Sequence, residues 1–129
     1  MQALEILQQH QLKKTSPRLA IIEVLQSANT HLAEAEISEQ MGSHYDRTTF
    51  YRSMQTLSDA GVIHRIVIDR FTVKYALRQL PDHAHFYCNN CRKLICLEDV
   101  QPGPYNLPVG FQTSEAEVII KGLCNKCSK

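Results

Sequence analysis

Apolar residues in the first part of the chain recur at the three- and four-residue spacing that is typical of amphipathic helices. A first helix is predicted over residues 2–11, just before a basic stretch. A second helix is predicted over about 16–28, because Ser16 can act as its N-cap and Pro17 takes the first helical position, where a missing N–H costs nothing. The chain is therefore expected to open with two short helices.

Two further helices are predicted, separated by a short polar turn. The run AEAEISEQMG has acidic residues in its first turn and ends at Gly42, which suits a short third helix. Asp46 then caps the run RTTFYRSMQTLSDAG, whose apolar positions face one way and whose last residue, Gly61, ends the helix. Two short helices joined in this way predict a helix-turn-helix.

The periodicity changes after the fourth predicted helix. The segments VIHRIVI and FTVKYAL are rich in β-branched and aromatic residues and are separated by Asp69 and Arg70, so they predict a two-stranded hairpin. A helix-turn-helix followed by such a hairpin is a winged helix. We therefore predict a winged helix-turn-helix domain over residues 1–80.

A second, smaller domain is predicted over residues 81–129. Segments 86–87 and 94–97 flank a Cys-x-x-Cys turn as a hairpin, and 111–123 predicts a third strand. The stretch 98–110 contains three prolines and is predicted to be a loop, because proline interrupts a helix. The predicted fold class is therefore α+β, with the winged helix followed by a small antiparallel β domain.

Four of the five cysteines form two Cys-x-x-Cys pairs, Cys88 with Cys91 and Cys124 with Cys127. Each pair can wrap a tight turn around a metal and present both sulfurs from one side. Soft sulfur donors in a tetrahedral set favour Zn²⁺. A structural zinc site is therefore predicted, and it would supply folding energy that so small a β domain lacks. The alternative is a set of ordinary buried or reactive cysteines.

Composition and cysteine spacing indicate the cellular compartment of the protein and whether it contacts a membrane. The chain has 129 residues and a formal net charge of +1, and its cysteines are spaced for a metal rather than for a disulfide framework. Neither a secretory signal nor an apolar run of membrane-spanning length is visible in the sequence. We therefore expect a cytoplasmic protein without membrane contact.

Basic residues cluster within residues 1–80, although the net charge alone does not favour nucleic acid. They flank the fourth predicted helix, so they can meet phosphates on both sides of a major groove, while Tyr51 and Arg52 can contact base edges. The alternative is a set of solvated surface charges. The residues assigned to double-stranded DNA are Lys13, Lys14, Arg18, Arg47, Thr48, Thr49, Tyr51, Arg52 and Arg65.

The segments TSPR, TTFYRSMQTLSDAGVI, HAHFYCNNC and GLCNKC, in this order, resemble the ferric uptake regulator (Fur) family of bacterial metal-dependent repressors. The resemblance runs from about Leu12 to Cys127. It implies a homodimer, a structural zinc ion on the two cysteine pairs and a second, regulatory metal near the hinge between the two domains. In relatives, metal at the hinge closes the two winged helices onto palindromic operator DNA.

The resemblance also implies hinge ligands, which it carries to His31, His83 and His85. Two positions depart from the family pattern. Ala76 stands where many members have a metal-binding carboxylate, and Cys96 stands where they have an acid. A third metal site of the family is expected to be absent, because its histidine is replaced at Ala116.

Cys96 changes the expected metal. A hairpin that closes between Cys88 and Cys91 would place Cys96 opposite His83, and a slip of one or two residues in the turn would still leave it next to the His83–His85 segment. His83 and His85 lie on one face of an extended strand. With His31 they would form a His₃Cys set, which suits Zn²⁺ better than Fe²⁺ or Mn²⁺. The alternative is that Cys96 is a small buried apolar residue.

The main hypothesis is therefore a cytoplasmic, homodimeric, metal-responsive transcriptional repressor that senses zinc. Two alternatives stay open: a constitutive DNA-binding regulator that holds only the structural zinc, and a redox sensor that acts through Cys96. An enzyme with a small-molecule substrate is disfavoured, because the best-formed site is closed by four thiolates and no glutamate that could act as a general base lies close in sequence to His83 and His85.

Overall fold

The computed structural model describes residues 1–28, 30–42, 44–78, 83–100, 105–114 and 116–129. The chain divides into two compact units, Met1–Arg78 and Gln79–Lys129. Each unit has its own set of secondary-structure elements. Among the described residues, no helix combines the length and the apolar character needed to cross a membrane.

The first unit contains the four helices that the sequence predicts. They are α1 (Ala3–Gln9), α2 (Ser16–Ser27), α3 (Glu34–Met41) and α4 (Arg47–Asp59). The start of α2 differs by one residue from the prediction, because the N-cap is Thr15, whose Oγ1 accepts a hydrogen bond from the Arg18 N–H at 3.3 Å. Pro17 still lies in the first turn, where its missing N–H would have had no intrahelical acceptor.

Helix α4 begins as predicted at an aspartate cap. Asp46 Oδ1 accepts a hydrogen bond from the Thr49 N–H at 2.7 Å, and this bond lowers the pKa of the carboxyl group. Gly61 follows the helix with φ of +80°, a left-handed conformation that glycine adopts without strain. Phe50, Met54 and Leu57 are buried on one side of the helix, so its opposite side faces solvent.

The core of the first unit lies among the four helices and the hairpin that follows them. Its members include Leu7, Ile21, Ile22, Ile37, Leu57 and Ile63, all at most 2% exposed. Burial of each such side chain contributes about 1.5–3 kcal/mol to folding. This core holds α2, α3 and α4 at fixed positions within the unit.

The hairpin of the first unit is formed by β1 (Ile63–Asp69) and β2 (Thr72–Leu77), which pair antiparallel. Leu32, which precedes α3, is bridged to Tyr75 of β2 by two backbone hydrogen bonds of 2.9 and 2.7 Å. The hairpin is thereby tied to the connection between α2 and α3. The predicted winged helix-turn-helix is confirmed.

The second unit contains a three-stranded sheet in the order β4-β3-β5, formed by β3 (Ala84–Cys88), β4 (Leu94–Leu97) and β5 (Ile119–Gly122). Strands β3 and β4 pair antiparallel, but β5 runs parallel to β3. The sheet is therefore mixed, which corrects the expectation of antiparallel pairing throughout. A parallel neighbour requires a long crossover connection, and the chain between β4 and β5 is long enough to provide it.

The last strand is also shorter than predicted. The sequence predicted a strand over 111–123, whereas the structure has four residues, Ile119–Gly122. The first hydrogen bond between β3 and this part of the chain runs from the His85 N–H to the Val118 carbonyl. β3 itself begins one residue earlier, at Ala84. The stretch predicted as a loop, 98–110, has neither helix nor strand at 98–100 and 105–110, and 101–104 lie outside the described residues.

Candidate metal centres and nucleic-acid interface

The parallel pairing of β3 and β5 brings the two cysteine pairs together. Cys88 ends β3 and lies opposite Gly122 of β5, so the chain that leaves β5 reaches Cys124 beside it. Cys91 lies in the turn after β3. The Sγ atoms of Cys88, Cys91, Cys124 and Cys127 all lie within 4.8 Å of one another.

The spacing of these sulfurs fits a tetrahedral metal ion and does not fit disulfides. Zn–S bonds of about 2.3 Å place the sulfurs of a tetrahedral site roughly 3.8 Å apart. The Sγ atoms of Cys91 and Cys124 are 3.9 Å apart, and all five cysteines are free thiols. The donor set therefore fits Zn²⁺ in both chemistry and spacing.

Two backbone donors are directed at the sulfur of Cys88. The N–H groups of Cys91 and Cys124 donate to Cys88 Sγ at 3.4 and 3.5 Å. The Cys91 N–H first, and then the Cys124 N–H, lower the pKa of the Cys88 thiol to about 6. Cys88 therefore becomes a thiolate more readily than an ordinary cysteine does.

Cys127 shows why four thiolates need a cation between them. The Asn90 side chain donates to Cys127 Sγ at 3.3 Å and lowers the pKa of this thiol. Cys124 first, then burial, and then Cys88 and Cys91 outweigh this effect and raise the pKa of Cys127 to about 11. Since negative charge on one sulfur opposes ionisation of the next, the fully ionised cluster requires a cation, which a bound divalent ion would supply.

A second group of donors lies on the same sheet. His85 of β3 pairs directly with Cys96 of β4, and their ligand atoms lie within 4.8 Å of each other. The ring of His83 is 4.8 Å from the ring of His85, as expected for residues on one face of a strand. His85 is 2% exposed, and Cys96 is half-buried.

Cys96 faces His85 rather than His83, so the register is shifted by two residues, and Cys96 stays next to the His83–His85 segment as predicted. The hairpin closes at the hydrogen bond from the Cys88 N–H to the Lys93 carbonyl, and not between Cys88 and Cys91. The turn is therefore two residues longer than expected, and Arg92 within it adopts φ of +63°. The longer turn shifts each cross-strand pair by two positions along β4.

Glu117 is a donor that the sequence analysis did not assign. Its Oε1 lies 3.7 Å from Nδ1 of the buried His85. The parallel register, in which His85 pairs with Ile119, places this carboxylate beside β3. Because the sequence did not show the direction of β5, it did not show this contact either.

The remaining residue assigned to the hinge is His31. His31 belongs to the first unit and is 9% exposed, just before the bridged residue Leu32.

Burial first, and then the nearby charge of Glu98, raise the pKa of the Cys96 thiol. A free Cys96 therefore stays protonated at neutral pH, and becomes a thiolate only when a cation binds it.

Helix α4 carries five of the nine residues assigned to DNA, and four of the five are exposed. Arg47, Thr48 and Arg52 are exposed and Tyr51 is 47% exposed, whereas Thr49 is half-buried and donates its N–H to the Asp46 cap. The exposed side of the helix is polar and basic, and it lies opposite the buried apolar side. It has the length and chemistry of a helix that reads a major groove.

The other assigned basic residues divide into exposed and anchored side chains. Lys13 and Lys14 are exposed before α2, and Arg65 is exposed on β1. Arg18 is half-buried, and its Nη1 donates to the Lys13 carbonyl at 2.7 Å, so it also holds the backbone of this basic segment. Tyr45 was missed by the sequence analysis, although its hydroxyl lies 2.6 Å from Ser16 Oγ at the start of α2.

Comparisons with known proteins match this arrangement. The model of the family described as "Ferric uptake regulator family" matches residues 9–102. The ferric uptake regulation protein of Escherichia coli (strain K12) is 35% identical over 92 residues, which are 68% of this chain and 62% of that protein. The match therefore spans less than two thirds of that relative's length.

Two further matches cover almost the whole chain. The peroxide operon regulator of Bacillus subtilis (strain 168) is 24% identical over 136 residues, covering 99% of this chain and 92% of that protein. A solved structure described as a zinc uptake regulator complexed with zinc and DNA superposes with a TM-score of 0.71 at 18% identity, covering 98% of this chain and 90% of that one. At this identity, the structural match shows the fold.

Proposed function

Because this chain belongs to the ferric uptake regulator family, we propose that it is a homodimeric, metal-responsive transcriptional repressor of the cytoplasm that binds double-stranded operator DNA. The first unit binds DNA and the second forms the dimer. The pairing of His85 with Cys96 is the observation that carries the choice of metal, because a sulfur donor beside an imidazole favours Zn²⁺ over Fe²⁺ or Mn²⁺.

The four clustered cysteines have a structural role in this proposal. Zn²⁺ would bind Cys88, Cys91, Cys124 and Cys127, and it would join the end of the chain to the turn after β3. Such a closed site leaves no position for a substrate. Its function is to stabilise a small sheet that has few buried apolar residues.

The regulatory site in this proposal uses His83, His85 and Cys96 of the second unit, and His31 of the first. Metal held by ligands from both units would favour one arrangement of the two units over others. A ligand shifts such an equilibrium only by the difference between its binding free energies for the two arrangements. A difference of a few kcal/mol in the binding of the metal would change the affinity for DNA by one to two orders of magnitude.

DNA binding in this proposal uses α4 in the major groove. Tyr51 and Arg52 read base edges, while Arg47, Lys13, Lys14 and Arg65 contact phosphates. The polar exposed side of α4 and its basic surroundings support this assignment. Two copies of the chain would place two such helices on a palindromic site.

The test combines metal analysis with DNA titration. An operator is selected from a random-sequence duplex library with zinc-loaded protein, and its affinity is measured by fluorescence anisotropy before and after mild chelation that leaves the four-cysteine site loaded. We expect two zinc ions per chain in the DNA-binding form and one in the weakly binding form. Equal operator affinity in both forms would disprove switching by metal.

One alternative is favoured by a specific residue. Ala76 on β2 cannot bind metal in place of the family's carboxylate, which favours a constitutive DNA-binding regulator with the structural zinc alone. One zinc ion per chain, together with DNA binding that chelation does not change, identifies that alternative. A redox sensor based on Cys96 is less well supported, because burial keeps its thiol protonated and slow to react with oxidants.

A further inference from the structure

A hydroxyl pair joins the start of α2 to the turn before α4. The hydroxyl oxygen of Tyr45 lies 2.6 Å from Ser16 Oγ, and either oxygen can be the donor. Tyr45 immediately precedes Asp46, the residue that caps α4. The pair is therefore a direct side-chain link between the basic segment before α2 and the helix assigned to the major groove.

An open cleft of about 490 Å³ lies beside this pair. It is lined by Lys14, Ser16 and Tyr45, and by the apolar side chains of Leu19 and Ala20. Lys14 supplies a positive charge at the cleft, and its side chain is exposed. Glu23 also lines the cleft, but it lies about two helical turns after Ser16, roughly 10 Å along the axis of α2.

These groups match the needs of a phosphodiester. In a pair of hydroxyls, the oxygen that accepts the hydrogen bond keeps its own proton to donate to a ligand. An anion at the cleft would therefore receive one hydroxyl hydrogen bond, polarised by the other hydroxyl, and the charge of Lys14. Glu23 would repel an anion from the other end, so the anion is confined to the end near Lys14.

We propose that this cleft binds one phosphodiester of the DNA backbone through the hydroxyl pair of Tyr45 and Ser16 and the ammonium group of Lys14. The inference rests on the proposed function, because it needs a DNA duplex lying along α4. The bound phosphate fixes how far α4 enters the groove, since Tyr45 and the cap of α4 are adjacent in the chain. Tyr45 is thus a positioning residue that carries no sequence information of its own.

The test uses the full-length zinc-loaded protein and the operator selected from the random library. Tyr45→Phe and Ser16→Ala each remove one hydroxyl, and Tyr105→Phe, which removes an exposed hydroxyl from the second unit, is the matched control. We expect Tyr45→Phe and Ser16→Ala to weaken binding about 5- to 10-fold, to operator and to scrambled duplex alike. Tyr105→Phe should bind as the wild type does.

The salt dependence separates the charge from the hydroxyls. Lys14→Gln should reduce the slope of log affinity against log salt by about one, whereas Tyr45→Phe should leave the slope unchanged. Thermal unfolding of each variant checks that the fold is retained. If Tyr45→Phe destabilises the first unit, Ser16→Ala provides the same comparison with a smaller change.

The phosphate itself can be identified with operators that carry one neutral methylphosphonate at successive backbone positions. For the wild type, we expect a loss of affinity at one position per half-site that Tyr45→Phe no longer shows. Identical methylphosphonate profiles for wild type and Tyr45→Phe would overturn the inference, and so would unchanged affinity in both hydroxyl variants. A wild-type chain that selects no operator would instead overturn the proposed function.

Discussion

His85 and Cys96 face each other directly across β3 and β4, with their ligand atoms within 4.8 Å. Glu117 approaches the same imidazole from the other side of β3, with its Oε1 3.7 Å from His85 Nδ1. One buried histidine thus lies between a thiol from the antiparallel neighbour and a carboxylate next to the parallel neighbour. This relationship brings a sulfur, an imidazole and a carboxylate close together on the sheet.

Replacement of Cys96 tests this arrangement. Cys96→Ala should reduce zinc from two ions to one per chain and abolish the effect of zinc on operator affinity, because the sulfur donor is lost. Inductively coupled plasma mass spectrometry gives the stoichiometry. The control is Ile95→Ala on the same strand, which alters an exposed neighbour and should keep both ions. Two ions per chain in Cys96→Ala would remove this residue from the site.

Loss of the structural ion should unfold the second unit selectively. Cys124→Ser removes a ligand of the four-cysteine cluster, and a strong chelator removes the ion itself. In either case, amide hydrogen exchange of β3 and β5 should become fast while α2 stays protected. Cys96→Ala serves as the control, because it changes a cysteine outside the cluster. Retained protection of β5 in Cys124→Ser would show that the cluster is not a structural site.

The cap of α4 makes stability depend on pH. The hydrogen bond from the Thr49 N–H holds the pKa of the Asp46 carboxyl group below its ordinary value, so the ionised form stabilises the folded state. This contribution is fully present above about pH 4 and is lost as the pH falls through the lower folded pKa. Asp46→Asn keeps a capping oxygen without the charge.

The lowered pKa of Asp46 determines how the stabilities of the wild type and Asp46→Asn should differ with pH. The melting temperature of the wild type should exceed that of Asp46→Asn above pH 4, and the two should converge as the pH falls below the folded pKa. Asp59→Asn, at the other end of α4, is the matched control. A difference that is constant from pH 2 to pH 7 would contradict the role of the charge.

The core of the first unit depends on Leu57. Its side chain is fully buried, so Leu57→Ala should destabilise the unit by about 2–5 kcal/mol through lost burial and the cavity left behind. Urea denaturation followed by circular dichroism measures the change. Val67→Ala, at a position that is 47% exposed, should change the stability by less than about 0.5 kcal/mol.

Sequence discrimination should depend on the exposed side of α4. Arg52→Ala and Tyr51→Ala should weaken operator binding much more than binding to scrambled duplex, since lost base contacts affect specificity, about 1–3 kcal/mol for each good pair. Anisotropy titrations with both duplexes measure the ratio. Equal losses on the two duplexes would reassign these residues to phosphate contacts.

The helices and the hairpin of the first unit could be predicted because their signals are local. The Asp46 cap, the left-handed Gly42 and Gly61 and the apolar spacing along α4 each act within a few residues of the chain. The grouping of the two Cys-x-x-Cys pairs could also be predicted, because two pairs at this spacing are typical of a four-sulfur zinc site. The N-cap of α2 was misplaced by one residue, since Thr15 and Ser16 can both cap a helix.

The sequence by itself thus determined the winged helix, the α+β class and the four sulfurs of the metal centre, because short-range sterics and donor chemistry specify them. Only the tertiary structure decided that β5 runs parallel to β3, that Cys96 faces His85, and that Glu117 approaches the same ring. The direction of β5 depends on how a long connection crosses the sheet. The pairing of Cys96 with His85 depends on a turn that is two residues longer than expected. The approach of Glu117 to the His85 ring follows from the parallel register, in which residues distant along the chain become neighbours.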